Sequence, residues 1–310
     1  MKISTKLISM LTLSLSLGAT AAVAQTKITV AYTAVSEFMP VFVAKERGFF
    51  SKRGLDVTPQ QLALSGVMPA ALQSGSVQIA GAASPVLLQA NDSGLEMVGI
   101  AGTSVHSKDS KAIGLVVRND GKITQASDLI GKKIAVPGLN AALHIIGRKW
   151  LSDQGVDPRQ VSFVEGAFPQ MGDMLKGGSI DAAVTADPFL GRIVDSGSGT
   201  LLSQLAPDLP AGFSNMLYMT TRSWQEKNSK AIEDFRAALS EALEFAAANP
   251  EEAQADMGKY LKIPAPVLAK LAKPSYKVAL NSDELQFWAD TMREQNMLER
   301  APDLKALVAE

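Results

Sequence analysis

Four stretches combine small residues with a hydroxyl, amide or carboxylate where a helix should begin: Ser65-Gly66-Val67, Ala83-Ser84, Gly138-Leu139-Asn140 and Asp187-Pro188. A helix N-terminus offers unsatisfied N–H groups and about half a positive charge, so several converging on one point can hold an anionic or polar head without basic side chains. Glycine at such a point lets a ligand approach the backbone. Each stretch also reads as plain capping, because Ser-Pro and Asp-Pro are what an N-cap followed by an N1 proline looks like. The two readings are compatible, since a cap can line a pocket. Phe38, Phe168, Phe189 and Phe213 fall beside expected strand ends or crossings, where they either sandwich a flat or apolar ligand body or fill the core. Ser36 and Glu37 follow the first expected strand, and Thr103 opens the first expected crossing between lobes. Glu37 and Asp187 suit a cationic or hydrogen-donating ligand, the bland alternative for Glu37 being a solvated loop carboxylate. His144, one turn after Asn140, and His106, in a polar loop, read as structural or exposed.

Other chemistry is poorly represented. The chain has no G-x-S-x-G nucleophile elbow, no H-E-x-x-H, no phosphate-binding G-x-x-x-x-G-K, and only 2 histidines for base or metal work. With 0 cysteines, disulfides, thiolate metal sites and thiol catalysis are excluded, as is a lipid-modified cysteine. Lys2 and Lys6 precede the apolar run Leu7 to Leu17, and Ala22-Val23-Ala24 supplies the small-x-small pattern of signal peptidase. The run is too short to span a bilayer, which needs ~20 apolar residues, so export and cleavage after Ala24 are expected. Losing residues 1–24 removes two lysines, leaving 28 basic against 31 acidic residues and moving the net charge from -1 to -3. That mild acidity argues against a nucleic-acid or anionic-membrane partner.

The elements that must position these residues alternate strictly, which favours mostly parallel sheets covered by helices. Lys27 to Tyr32 reads as a strand ending in polar Thr33, Ser36 and Glu37, the end at which α/β sheets place ligands. From Pro40 the spacing becomes helical and Gly48 stops it; Leu55 to Val57 begins a second strand. Strands at Val77 to Ala80, Glu96 to Gly102 and Ile113 to Val117 follow, with helices between. The same grammar restarts at Ile134 to Val136, with a long helix from Ala141 to Gln154 and strands at Val161 to Val164 and Ala182 to Thr185. Leu217 to Thr220 is read as the final strand. The remainder is helical, Ile232, Phe235, Leu239 and Leu243 sharing one face, with later helices at Ala265 to Ala272 and Asp283 to Asn296; it is expected to pack on the first lobe.

In order along the chain stand Pro40 to Phe50 with its AKERGFF ending, Gly54-Leu55-Asp56-Val57, Ala70 to Gly75, Asp128 to Gly138, Gly178 to Ala183, and Asn249-Pro250-Glu251-Glu252-Ala253. Together they resemble the periplasmic substrate-binding proteins for sulfonates, nitrate, taurine and the pyrimidine precursors of thiamine. The resemblance implies an α/β, two-lobed type II periplasmic binding fold, each lobe a mostly parallel sheet flanked by helices, with a helical C-terminal tail. On that plan residues 1–24 are the signal peptide, 25–110 and 213–310 build lobe 1, and 111–212 build lobe 2. The implied function is solute capture for an ABC importer. A ligand (sulfonate, aromatic carboxylate or pyrimidine-like) would be enclosed by hinge closure about crossings near Gly102 to Ile113 and Ala211 to Leu217. The expected partner is an inner-membrane ABC permease and the expected state a monomer without cofactor. Sulfonate binders of the family commonly carry Trp-Glu before the proline where this chain has Ala186-Asp187, which keeps the heteroaromatic and aromatic-carboxylate classes open. A periplasmic ligand sensor or an exported enzyme on the same fold is the alternative.

Overall fold

The computed structural model describes residues 25–262, 264–268, 271 and 273–309; the expected signal peptide and cleavage site lie outside them, as does part of the expected helix 265–272. Eleven strands are described: β1 Thr26–Tyr32, β2 Leu55–Gln61, β3 Ile79–Ala83, β4 Met97–Val105, β5 Ile113–Arg118, β6 Lys133–Val136, β7 Ser162–Glu165, β8 Ala182–Ala186, β9 Gly199–Gln204, β10 Ser214–Thr221 and β11 Ser275–Tyr276. They form two sheets, one ordered β11-β4-β10-β3-β1-β2 and the other β7-β6-β8-β5-β9. The chain passes from the first sheet to the second between Val105 and Ile113, and returns between Gln204 and Ser214.

The sheets are mixed in their pairing. β1 runs parallel to β2 and β3, but β10 lies antiparallel between β3 and β4. In the second sheet β6 is parallel to β7 and β8, whereas β5 is antiparallel to both β8 and β9. β5 and β10 are the strands that arrive from the other sheet, so they enter from the side opposite to strands returned by a helical crossover. Strand direction within each sheet is therefore mostly uniform, as the alternation implies, while the crossing strands break the parallel pairing.

The tail departs from its expected all-helical character where β11 pairs with β4 and where Val308 bridges to Gly99 of the same strand. Its long helix Ser229–Ala248 buries Ile232, Phe235 and Leu239, the stripe expected from their spacing. Phe235 stacks on Phe50 at 5.4 Å, and Arg53 pairs with Glu241 at 2.6 Å, which seats the helix on the first lobe. β9 had no counterpart in the sequence reading: Gly199 to Gln204 carries Thr200 and Ser203 beside two leucines, and its pairing with β5 supplies what its composition does not.

Candidate functional site

A cavity of about 60 Å³ lies between the loops of the two lobes. On the first lobe Thr33, Val35 and Glu37 come from the loop after β1, Ala83 ends β3, and Ser65 opens the short helical turn Ser65–Val67. Asn215 and Met216 begin β10, and Trp288 reaches in from the C-terminal helix Gln286–Glu294. The second lobe supplies Ile113 at the start of β5, Pro137 after β6, Phe168 after β7 and Ala186 at the end of β8, with Ala141 and Leu143 from the start of the helix Ala142–Asp153. Most of these positions follow the C-terminal ends of parallel strands, where the edges of a β-α-β array leave room for ligands. An adjoining cavity of about 140 Å³ shares Glu37 and Asn215, and adds Asp109 and Lys273.

The polar groups sit on the first-lobe wall. Glu37 is half-buried and lines both cavities; burial pushes its carboxyl from the ordinary 4.5 up to about 7, and the nearby Asp187 adds to the rise. Tyr276 donates to the Ser36 carbonyl at 2.9 Å, and its hydroxyl is raised by burial and by Glu37. Thr33 is 1% exposed, and its Oγ1 has no hydrogen-bond partner among the described residues. Among the described residues no Lys, Arg or His lines the central cavity. Asp187 is also raised by burial, and its Oδ1 accepts from the Gly191 N–H at 3.2 Å.

Two glycine loops bring the lobes together beside the cavity. A Cβ on Gly138 would lie 3.5 Å from the Gly66 nitrogen and 3.7 Å from Ser65 Oγ, so backbone from one lobe rests against backbone from the other. Glu165 Oε1 accepts from Leu139 N–H at 2.9 Å and would stand 3.7 Å from a Cβ on Gly66. A second bridge forms where Arg148 Nε donates to Gln295 Oε1 at 3.1 Å and Gln295 Nε2 donates to the Ile145 carbonyl at 3.0 Å.

Of the residues proposed from sequence, Glu37, Ser65, Ala83 and Phe168 line the central cavity. Gly66 and Gly138 form the adjacent contact between lobes. Phe189 stacks on Phe168 at 5.8 Å, and together with Asp187 lines another recess, which Val267 and Leu271 of the C-terminal tail also border. The others are elsewhere. Phe38 is fully buried, 5.7 Å from Tyr218 and 6.5 Å from Tyr32, and belongs to the core. Ser84 donates to the Ser214 carbonyl at 2.8 Å, which also accepts from Trp288 Nε1 at 2.7 Å, so its hydroxyl fixes the start of β10. Thr103 Oγ1 donates to the Met216 carbonyl at 3.0 Å within the sheet. Phe213 is sandwiched between His106 at 4.8 Å and Phe287 at 4.2 Å. Ser36 lines a neighbouring recess, Val67 is 44% exposed, and Asn140 is an exposed residue whose positive φ of 60° turns the chain into the helix. His144 Nδ1 accepts from the Asn140 N–H at 2.9 Å, and burial lowers it to about 4.

The sequence reading passed over Asn215, Met216 and Trp288 as lining residues. Thr33 was legible, as a polar residue just past a strand end; Trp288 carried no signal, because nothing in a C-terminal helix says which lobe face it meets.

The model of the NMT1/THI5-like family matches residues 35–253. A Brucella abortus (strain 2308) protein named as a binding protein is 29% identical over 251 residues, 78% of this chain and 73% of that protein. The taurine-binding periplasmic protein of Escherichia coli (strain K12) is 28% identical over 226 residues, 72% and 68% of the two chains. Among solved structures, the alkanesulfonate-binding protein SsuA from Xanthomonas axonopodis pv. citri, bound to MOPS, superposes with a TM-score of 0.80 at 18% identity, over 93% of this chain and 99% of that one. The periplasmic nitrate-binding protein NrtA from Synechocystis PCC 6803 gives 0.74 at 20% identity, over 91% and 84%. At these identities the superpositions establish a common two-lobed α/β fold.

Proposed function

The chain belongs to the NMT1/THI5-like family, and we propose that it is the extracytoplasmic solute-binding component of an ABC importer, enclosing a small organic ligand between its lobes by hinge closure. The observation that carries this is the meeting of two differently lined walls, polar Thr33, Glu37, Ser65 and Asn215 from one lobe and apolar Ile113, Pro137, Leu143 and Phe168 from the other; the space of about 60 Å³ between them is too small for an organic ligand, so the lobes must part to admit one. A ligand that touches both walls stabilises the closed arrangement over the open one by its differential contacts. The two crossings, 106–112 and 205–213, are the segments whose torsions take up the rotation. The names of the relatives, binding proteins for taurine, alkanesulfonate and nitrate, support a transport role. The partner on this reading is an inner-membrane permease that recognises the closed surface, and the protein acts as a monomer after export and cleavage at Ala24.

The test is a thermal-shift panel of alkyl and aryl sulfonates, nitrate, aromatic carboxylates, pyrimidines and amines on the chain from Gln25 onward. A ligand at about 100 times its dissociation constant adds ~2.7 kcal/mol and moves the midpoint visibly. Small-angle scattering with the best compound should then report a smaller radius of gyration. No shift with any class, or stoichiometric binding with an unchanged scattering curve, would overturn the closure reading.

A further inference from the structure

The central cavity offers two kinds of recognition that no single-charged ligand satisfies. Ala83 and Ala141 are the N-caps of the helices Ser84–Asp92 and Ala142–Asp153, one from each lobe, and both line the cavity. An alanine side chain accepts no hydrogen bond, so neither helix has a side-chain cap, and the orphan N–H groups left in the first turn, to which Pro85 contributes none, favour an anionic acceptor together with the helix dipole. Beside them stands the buried hydroxyl of Thr33, a further donor with no partner among the described residues. Glu37 stands in the same cavity as an acceptor. The charged and titratable groups around Glu37 include Asp187 and Tyr276, which interact with it electrostatically, and Asp109 and Lys273, which line the adjoining cavity.

A bare oxyanion placed here meets the Glu37 carboxyl with no cation among the described lining residues to neutralise it. A bare cation meets two positive helix ends. We propose, on the basis of the binding reading above, that the ligand is amphoteric: a carboxylate or sulfonate end rests on the uncapped helix N-termini and Thr33, and an amino or ring N–H end donates to Glu37. Ile113, Ile146, Phe168 and Trp288 supply apolar surface for the hydrocarbon or aromatic spacer between the ends. A charge-assisted hydrogen bond in such a dry site discriminates strongly against an analogue lacking the donor, because the buried acceptor is then left unpaired.

The experiment compares matched triples by calorimetry: 4-aminobenzoate with benzoate and aniline, 3-aminopropanoate with propanoate and propylamine, and 2-aminoethanesulfonate with ethanesulfonate and ethylamine. In at least one triple the amphoteric member should bind at least about tenfold more tightly than either single-ended analogue. Glu37→Gln should remove that advantage, while Thr33→Val should weaken the amphoteric and the acid-only member alike. The affinity of the amphoteric probe should rise from about pH 6 to about pH 8, as Glu37 ionises, and be flat over that interval in Glu37→Gln. Acid-only analogues binding as tightly as amphoteric ones, or full affinity in folded Glu37→Gln, overturns the proposal and leaves solute binding in place. Binding of no member of any triple also overturns it, and the broad panel and scattering experiment then decide whether solute binding itself stands.

Discussion

Replacing Glu37 by glutamine should make the ligand-free protein more stable at alkaline pH. The carboxyl has a folded value of about 7 against an ordinary 4.5, principally because burial penalises the charged form. Between these two values the folded state binds more protons than the unfolded chain, so stability falls as pH rises through the interval, and above about 7 the whole contribution has been lost. At about 1.4 kcal/mol per pH unit the upper bound is roughly 3 kcal/mol, and water reaching the cavity screens part of it, so about 1–3 kcal/mol is the expected gain for Glu37→Gln at pH 8. Glutamine matches the protonated carboxyl in shape and carries no charge, so the two proteins should converge as pH approaches 4.5. Urea unfolding at several pH values, on protein freed of ligand by unfolding and refolding, measures the difference directly. If Glu37→Gln is instead less stable than the parent at pH 8, the ionised carboxylate is satisfied by a cation such as Lys273, and both the raised value and the donor role assigned to the ligand are wrong.

Two further outcomes test the frame that holds the site. A Cβ at Gly81 would lie 2.3 Å from Phe38 Cε1, where carbon contacts settle near 3.5 Å, so Gly81→Ala must push the enclosed ring by about 1 Å and should cost about 1–3 kcal/mol; combined with Phe38→Leu it should cost less than the sum of the single changes in a double-mutant cycle. Thr221 caps the helix Arg222–Lys227 by accepting from the Trp224 N–H at 3.2 Å, so Thr221→Ala should cost about 1 kcal/mol, read as a fall of about 2–4 °C in the thermal midpoint, while Thr221→Ser should not.

The division into two lobes was legible because it rests on local signals, the change of hydrophobic period and the glycines that stop helices. Strand order was less so. Nothing in the apolar run 113–117 or 217–220 says that these strands cross from the other sheet, because direction within a sheet is set by where the chain comes from and not by which residues it carries. The same limit explains the aromatics. Phe38 and Phe168 both follow strand ends, yet Phe38 turns inward over Gly81 and Phe168 faces the cavity. Ser84 opens its helix as expected, but the return of β10 beside it, a contact 130 residues away in sequence, claims its hydroxyl. Polar residues in loops could be nominated from sequence; which of them had a competing partner could not.

The placement of Glu37 gives the site a thermodynamic logic of its own. An acidic side chain that is costly to ionise in the free protein is one that a hydrogen-donating ligand would relieve on binding; on the proposed reading, part of the folding stability given up above pH 7 would return as affinity for ligands with the right donor. On the proposed reading the same arrangement disfavours simple oxyanions, which bring no donor for Glu37 and leave an ionised carboxylate in the same cavity uncompensated. If the ligand is amphoteric as proposed, selectivity in this cleft depends less on the size of the cavity than on the mismatch left by a wrong ligand: a buried carboxylate without a donor, or helix N–H groups without an acceptor. Substituting Glu37 should therefore broaden the ligand range toward simple anions at the same time as it stabilises the fold, and a variant that gains stability at pH 8 while keeping its selectivity would show that the carboxylate is not what the ligand meets.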